Sequence, residues 1–416
     1  MRKEARGKVD ERTARFLKKL FASYYAKRGP KEPRDLPHRE FAFMTFGEKM
    51  VIRHKGFRSY GELRDFMANL GPSDAFYSSA YFAKPDEPDM KAKGWLGADL
   101  IFDIDADHLP TSCREEHDRW ACPSCGYSGR GEAPEKCPKC SSDKLLEVKW
   151  ICDKCLSAAK DELIRLIEVL EGELGLRASD MIASFSGHRG YHLQVCSKAV
   201  LGLGQDERGE IVDYLLAIGL DPEALGLIPG AKLDMSEPGW RGRLARALYA
   251  ILCRADEVEL RSLGLRPKAV RALLASRDIV LDCLEHGRPL YLPRGFGRAS
   301  LKKLLVACAE REAIKVDPVV TRDTHRLVRM SGALHGKTGL LKVDVPLDGL
   351  EGFDPLSSAV AFGKKPIRVK IAEGIPEVPA IRLGDEAYGP FEPGEFVVVP
   401  LCVAIFLMCK GVASLA

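Results

Sequence analysis

Apolar residues recur at helical spacing over residues 10–28, where Phe16, Leu17, Leu20, Phe21, Tyr24 and Tyr25 share one face. Asp10 is placed to cap that helix and Gly29-Pro30 to stop it, leaving a basic outer face. The period changes to two over residues 39–55, where Phe41, Phe43 and Thr45 alternate with smaller neighbours and Gly47-Glu48 predicts a hairpin turn. A short helix is expected over 60–69 and a surface loop from Pro85 to Pro88. Leu100, Ile101, Phe102 and Ile104 have the composition of a buried strand, and the hairpin is expected to add its strands beside this one. Leu163, Ile164, Leu166, Ile167 and Leu170 predict a helix over 156–172. Two strands then flank Ser186-Gly-His-Arg-Gly190. Residues 201–305 are dominated by helical patterns, and 340–345 and 366–372 read as strands. Phe396 to Met408 is apolar for 13 residues but contains Pro400, which predicts a strand, a turn and a buried helix, too short to span a bilayer.

The pattern gives an α/β (α+β) fold class: a mixed-sheet core with an inserted helical subdomain and a cysteine-rich module. Expected segments are 1–112, 113–156, 157–200, 201–305 and 306–416. Charge changes the picture little overall, since 63 basic and 59 acidic residues leave a net charge of +4, which excludes a polybasic nucleic-acid coat. Residues 1–35 are different. They carry 12 Lys/Arg against 5 Asp/Glu, an excess that suits a polyanionic partner or a solvated helix face. The arginines from Arg241 through Arg298 pose the same choice, and solvated helix faces account for most of them. The first apolar cluster sits among lysines, so no export signal and no membrane anchor are expected. In a reducing compartment, clustered thiols bind metal more often than they form disulfides.

Four stretches carry candidate chemistry. Asp103 and Asp105 interrupt the buried strand at a spacing of two, so they point the same way, roughly 6–7 Å apart at about 3.3 Å per residue. A strand with a buried face holds two such carboxylates by sharing divalent cations, or else exposes them at its end. Cys113 and His117, then Cys122/Cys125, Cys137/Cys140 and Cys152/Cys155, place seven thiols and one imidazole within 43 residues, enough for two closed zinc sites. The inner four read as a ribbon knuckle and the outer four (Cys113, His117, Cys152, Cys155) as its base; a swapped partition or a single zinc is left open by spacing alone. Ser186, Arg189 and His192 around a glycine-rich turn are donors suited to phosphate oxygens. Gly336-Lys337-Thr338 imitates a phosphate loop, but Ser331 stands where that motif needs glycine and a strand follows it; His335 and Lys337 remain phosphate contacts.

Together, Asp103-Ile-Asp105, Ser186-Gly-His-Arg-Gly-Tyr-His192 and Arg326 through Leu340 resemble the catalytic (small) subunit of archaeal and eukaryotic DNA primase, in the same order over residues 15 to about 370. The resemblance implies a primase-polymerase core and template-directed joining of nucleoside triphosphates on single-stranded DNA without a pre-existing 3′ end. It implies that Asp103, Asp105 and Asp317 hold two Mg²⁺ or Mn²⁺ ions. Ser186, Arg189, His192, Arg329, His335 and Lys337 would bind the triphosphate, with Arg53 and Glu40 near the nucleotide sugar and phosphates. It also implies structural zinc, a large subunit bearing an iron–sulfur domain, and a cytoplasmic, nucleoid-associated location if archaeal. No family role carries over to Asp107 or His188. Met330-Ser-Gly-Ala departs from the family's proline-containing turn, and the ribbon is longer than a single zinc knuckle. Two rivals share these residues: a primase-polymerase acting in repair, and a zinc-ribbon binding protein with vestigial aspartates.

Overall fold

The computed structural model describes residues 10–47, 51–374 and 376–416. The chain divides into two compact units. One takes in the described residues of Met1–Ile164, Ser179–Gln205 and Asp317–Ala416; the other is Arg165–Ala178 with Asp206–Val316.

The first unit opens with helix Glu11–Lys27, started by Asp10, whose carboxylate accepts the Thr13 N–H at 2.9 Å. Leu17, Phe21, Tyr24 and Tyr25 form its buried stripe. Two four-stranded antiparallel sheets follow. In the first, Leu327–Arg329, Asp74–Ser78, Phe41–Met44 and Val51–Lys55 lie side by side. In the second the order is Val343–Val345, Met181–Phe185, Gly190–Val195 and Leu100–Asp105. The expected hairpin forms, but it does not lie beside the aspartate strand, which is a correction to the sequence reading. One edge of the aspartate strand is occupied by Gly190–Val195, and on its other side the Asp317 N–H donates to the Asp103 carbonyl at 2.9 Å. The hairpin pairs instead with Asp74–Ser78. Its turn residue Glu48 and the basic residues 1–9 lie outside the described residues. The strand expected over 340–345 is also shorter, because Leu340 and Leu341 make only isolated bridges.

A buried polar knot ties the sheets together. Arg39, fully buried, donates to the carbonyls of Ser78 (2.9 Å) and Ser79 (2.6 Å) and pairs with Asp99 at 2.6 Å. Asp99 also accepts from Gln194 at 2.8 Å, and Gln194 accepts the Tyr77 hydroxyl at 2.8 Å. Each buried charge has a partner, without which it would cost several kcal/mol, roughly 3–5.

The cysteine-rich module is a three-stranded antiparallel sheet with Arg119–Ala121 between Ser128–Arg130 and Leu146–Val148. The C-terminal sheet sets Pro366–Ile371 between Phe396–Pro400 and Ala413–Leu415, and helix Leu401–Lys410 buries Val403 through Met408. Among the described residues no helix is long and apolar enough to cross a membrane.

The second unit is helical. Helices Gly239–Arg254 and Arg298–Glu312 contribute Leu244, Leu248, Leu252, Leu301, Leu305 and Cys308 to one apolar core at helical spacing. Glu173 joins Arg165–Ala178 to this unit: it accepts the Tyr214 hydroxyl at 2.6 Å and lies 3.7 Å from the Arg243 guanidinium. Several arginines of Arg241–Arg298 form ion pairs, including Arg241–Glu237 and Arg261–Glu257 one helical turn apart and Arg298–Glu223 between segments, all within 2.9 Å. Those are solvated helix faces.

Candidate active site

A cavity of about 260 Å³ opens between the two sheets. One wall is the aspartate strand. Pairing sets His192 opposite Asp103 and Gly190 opposite Asp105, so all four share the cavity face, while Leu100, Phe102 and Ile104 are buried behind. Gly190 is required there, because a Cβ would lie 2.1 Å from the Ile104 carbonyl oxygen. The His192 Nε2 stands 3.5 Å from Asp103.

Asp317 reaches the same strand through its backbone bond to Asp103, and its carboxylate caps helix Pro318–Arg322 by accepting from Val319 N–H at 2.8 Å. Burial, then the charges of Asp105 and Asp317, push the Asp103 carboxyl up to about 7. Burial and Asp107 likewise raise Asp105. Asp103, crowded by two further carboxylates, belongs to an acid cluster chemically suited to divalent cations. Among the described residues, the groups whose ligand atoms all fall within 4.8 Å are the two cysteine sets, and the aspartates stand wider apart.

The rest of the lining is rich in cations and donors. Ser186, His188 and Arg189 come from the turn beside Gly190, and Arg326, Arg329, His335 and Lys337 from residues 326–337. Arg329 is held by Asp74, which accepts from it at 2.6 Å and from the Gly336 N–H at 3.0 Å. Asp74 thereby stays deep in the acid range despite its burial, with Arg329 the largest opposing influence. The Thr338 hydroxyl donates to the Gly187 carbonyl at 2.5 Å and the Gly339 N–H to His335 O at 2.7 Å, so Gly336-Lys-Thr is a tight turn locked to the glycine-rich hairpin. His188 stacks on His335, ring centroids 5.0 Å apart. Burial, with neighbouring cations adding to it, holds His188, His192 and His335 well below the ordinary histidine range. They are neutral in the metal- and ligand-free protein, inside a field that favours anions.

Glu40 is buried outside this cavity's lining, among Arg53 (3.2 Å), His54 and Lys93 (3.3 Å). The cysteine sets gather as two groups, Cys113/His117/Cys152/Cys155 and Cys122/Cys125/Cys137/Cys140. Sulfur separations of 3.2 Å (Cys113–Cys155), 3.5 Å (Cys122–Cys140) and 3.6 Å (Cys125–Cys137) are near the roughly 3.8 Å that tetrahedral zinc with Zn–S of about 2.3 Å requires.

A family model described as DNA primase small subunit matches residues 102–348, which span both aspartate and donor stretches. The chain belongs to the DNA primase small subunits. Full-length relatives agree. The DNA primase small subunit PriS of Cenarchaeum symbiosum (strain A) is 33% identical over 416 residues, covering 98% of this chain and 100% of the relative. That of Methanococcoides burtonii is 31% identical over 434 residues, covering 98% and 99%, and that of Nitrosopumilus maritimus 30% over 415 residues, covering 98% and 100%. In this primase small subunit, sequence reasoning left Asp74, Asp107, Asp118 and His188 without roles. Asp74 carries no local signal, since its meaning arises only when residues 329 and 336 arrive beside it. Asp107 did have one: it continues the Asp-x-Asp spacing.

Proposed function

We propose that this chain is the catalytic subunit of a DNA primase, which joins nucleoside triphosphates on single-stranded DNA by two-metal-ion nucleotidyl transfer and so initiates replication. The observation that carries the reading is one cavity lined both by Asp103 and Asp105, with Asp103 pushed up by neighbouring carboxylates, and by Arg189, Arg326, Arg329 and Lys337. Asp103, Asp105 and Asp317 would hold Mg²⁺ or Mn²⁺. Divalent cations bound there supply acidification of the attacking 3′-hydroxyl and neutralise charge on the triphosphate and leaving pyrophosphate. Ser186, Arg189, His192, Arg329, His335 and Lys337 hold and orient the triphosphate in the same cavity. Glu40 and Arg53 act further out, toward the nucleotide. The two cysteine sets bind zinc structurally, because four protein ligands leave no open position. The family assignment supports a large-subunit partner and a DNA template; an iron–sulfur domain on that partner, use of ribonucleotides or deoxyribonucleotides, and a cytoplasmic location belong to the same proposal.

The test is synthesis on unprimed single-stranded template with each nucleotide type, wild type against Asp105→Ala, with and without the large subunit. Dinucleotides made by wild type and lost in the variant support the reading. Extension of supplied primers alone, even with the large subunit present, favours a repair-type primase-polymerase instead.

A further inference from the structure

Arg189 is a fully buried guanidinium whose three nitrogens make no aligned hydrogen bond, although two carboxylates flank it. Asp107 Oδ1 lies 2.9 Å from its Nη1, and Asp118 Oδ2 lies 3.5 Å away. Those two acids lead in different directions. Asp107 follows the aspartate strand, donates its N–H to Asp105 Oδ1 at 2.9 Å and pairs with Lys149 at 2.9 Å. Asp118 follows a ligand of the outer cysteine set. Its Oδ1 sits 2.8 Å from His117 Nδ1 and accepts the Trp150 N–H at 2.8 Å, while His117 Nε2 faces Cys155 Sγ at 3.2 Å. A carboxylate on the far nitrogen of a ligating histidine fixes its ring and tautomer. Here the second oxygen of that same carboxylate faces an arginine lining the cavity.

We propose that Asp118 is a positioning residue which couples the Cys113–His117–Cys152–Cys155 metal site to Arg189, so that filling the site sets the guanidinium for a triphosphate. This rests on the function proposed above for the cavity. A metal on His117 Nε2 keeps the Nδ1 proton toward Asp118 and holds that carboxylate still, with one oxygen left for the guanidinium. Asp107 holds the guanidinium from the aspartate side. The arginine's unmet N–H donors are then free for phosphate oxygens without leaving either carboxylate. The module thus does more than brace its own loops.

Asp118→Asn in the full-length chain separates the two halves of the idea. Its amide oxygen still accepts from His117 and Trp150, but the charge facing Arg189 is gone. The variant is expected to keep wild-type zinc content, to bind inorganic tripolyphosphate in Mg²⁺ about tenfold more weakly, and to show the same rise in nucleotide KM with kcat within about threefold. His117→Cys keeps four ligands but has no Nδ1, and is expected to weaken tripolyphosphate similarly. On an Arg189→Lys background, Asp118→Asn adds less than twofold. Unchanged tripolyphosphate binding with zinc retained overturns the coupling. So does a full additional loss on the Arg189→Lys background, or zinc loss in Asp118→Asn in proportion to the weakened binding. A reciprocal readout needs no nucleotide: Arg189→Met shifts the chelator-competition midpoint of one bound zinc by about threefold. If wild type fails to bind tripolyphosphate while that shift is present, the proposed function of the cavity fails and the coupling stands; no shift sinks the coupling.

Discussion

The cavity between the sheets and the helical unit treat charge differently. In the helical unit, Arg241, Arg261 and Arg298 pair with acids toward solvent, the buried Arg243 lies beside Glu173, and the core is mainly Leu, Ile, Val and Ala. That arrangement stabilises by apolar burial, and its ion pairs are worth little. In the cavity, burial and the charges of Asp105 and Asp317 oppose ionisation of Asp103, and Arg189, Arg326, Arg329 and Lys337 line the same space. Crowding carboxylates around Asp103 costs stability, and the function proposed above gives that cost a purpose, through ligands that bring the opposite charges.

The comparison is broken most directly by removing an acid. Asp105→Ala is expected to lower nucleotide transfer on the order of 10³-fold or more while thermal unfolding stays near wild type. A stable variant that retains activity makes the carboxylates structural after all. The counterpart in the other region is Leu248→Ala, expected to cost about 2–5 kcal/mol by denaturant unfolding of the full chain. A cost under about 1 kcal/mol means that its core is not what holds that unit.

A finer test uses pH. A carboxyl raised in the fold binds a proton that the unfolded chain has released, so metal-free stability is lost as pH rises from the unfolded value near 4 through about 7. Asp103→Asn is therefore expected to stabilise the metal-free protein at pH 8 by about 1–2 kcal/mol after solvent screening, with no gain at pH 4. By the same sign, Mn²⁺ raises the wild-type melting temperature more at pH 8 than at pH 5.5. Equal shifts at both pH values remove Asp103 from the metal site. The smallest effect belongs to Arg298→Ala, whose pair with Glu223 is exposed: under about 0.5 kcal/mol and no change in template affinity. A several-fold loss of template binding would revive the nucleic-acid track along these helices.

Much of this is legible in the sequence, and the reason is local. Asp103, Asp105 and the ligand spacings sit within short segments, where strand alternation and the reach of a metal site fix geometry. Asp10 as a cap and Leu17, Phe21 and Tyr25 as a core stripe follow from one helix. What was not legible depends on which segments meet. The hairpin's pairing with Asp74–Ser78 needed the partner edge to be known. Asp74 beside Arg329 and Asp118 beside Arg189 span 255 and 71 positions of chain, and no periodicity reports such encounters.

The planar fork of Arg39 spans from the hairpin's entry to Asp99, immediately before the aspartate strand, and its face lies 3.5 Å from the Tyr81 ring centroid. One guanidinium therefore clamps the strand entries of both sheets, like a caliper that sets the gap between its jaws. Lysine could supply the charge but not the fork, so an Arg39→Lys chain would be a primase with the right tools at the wrong gauge.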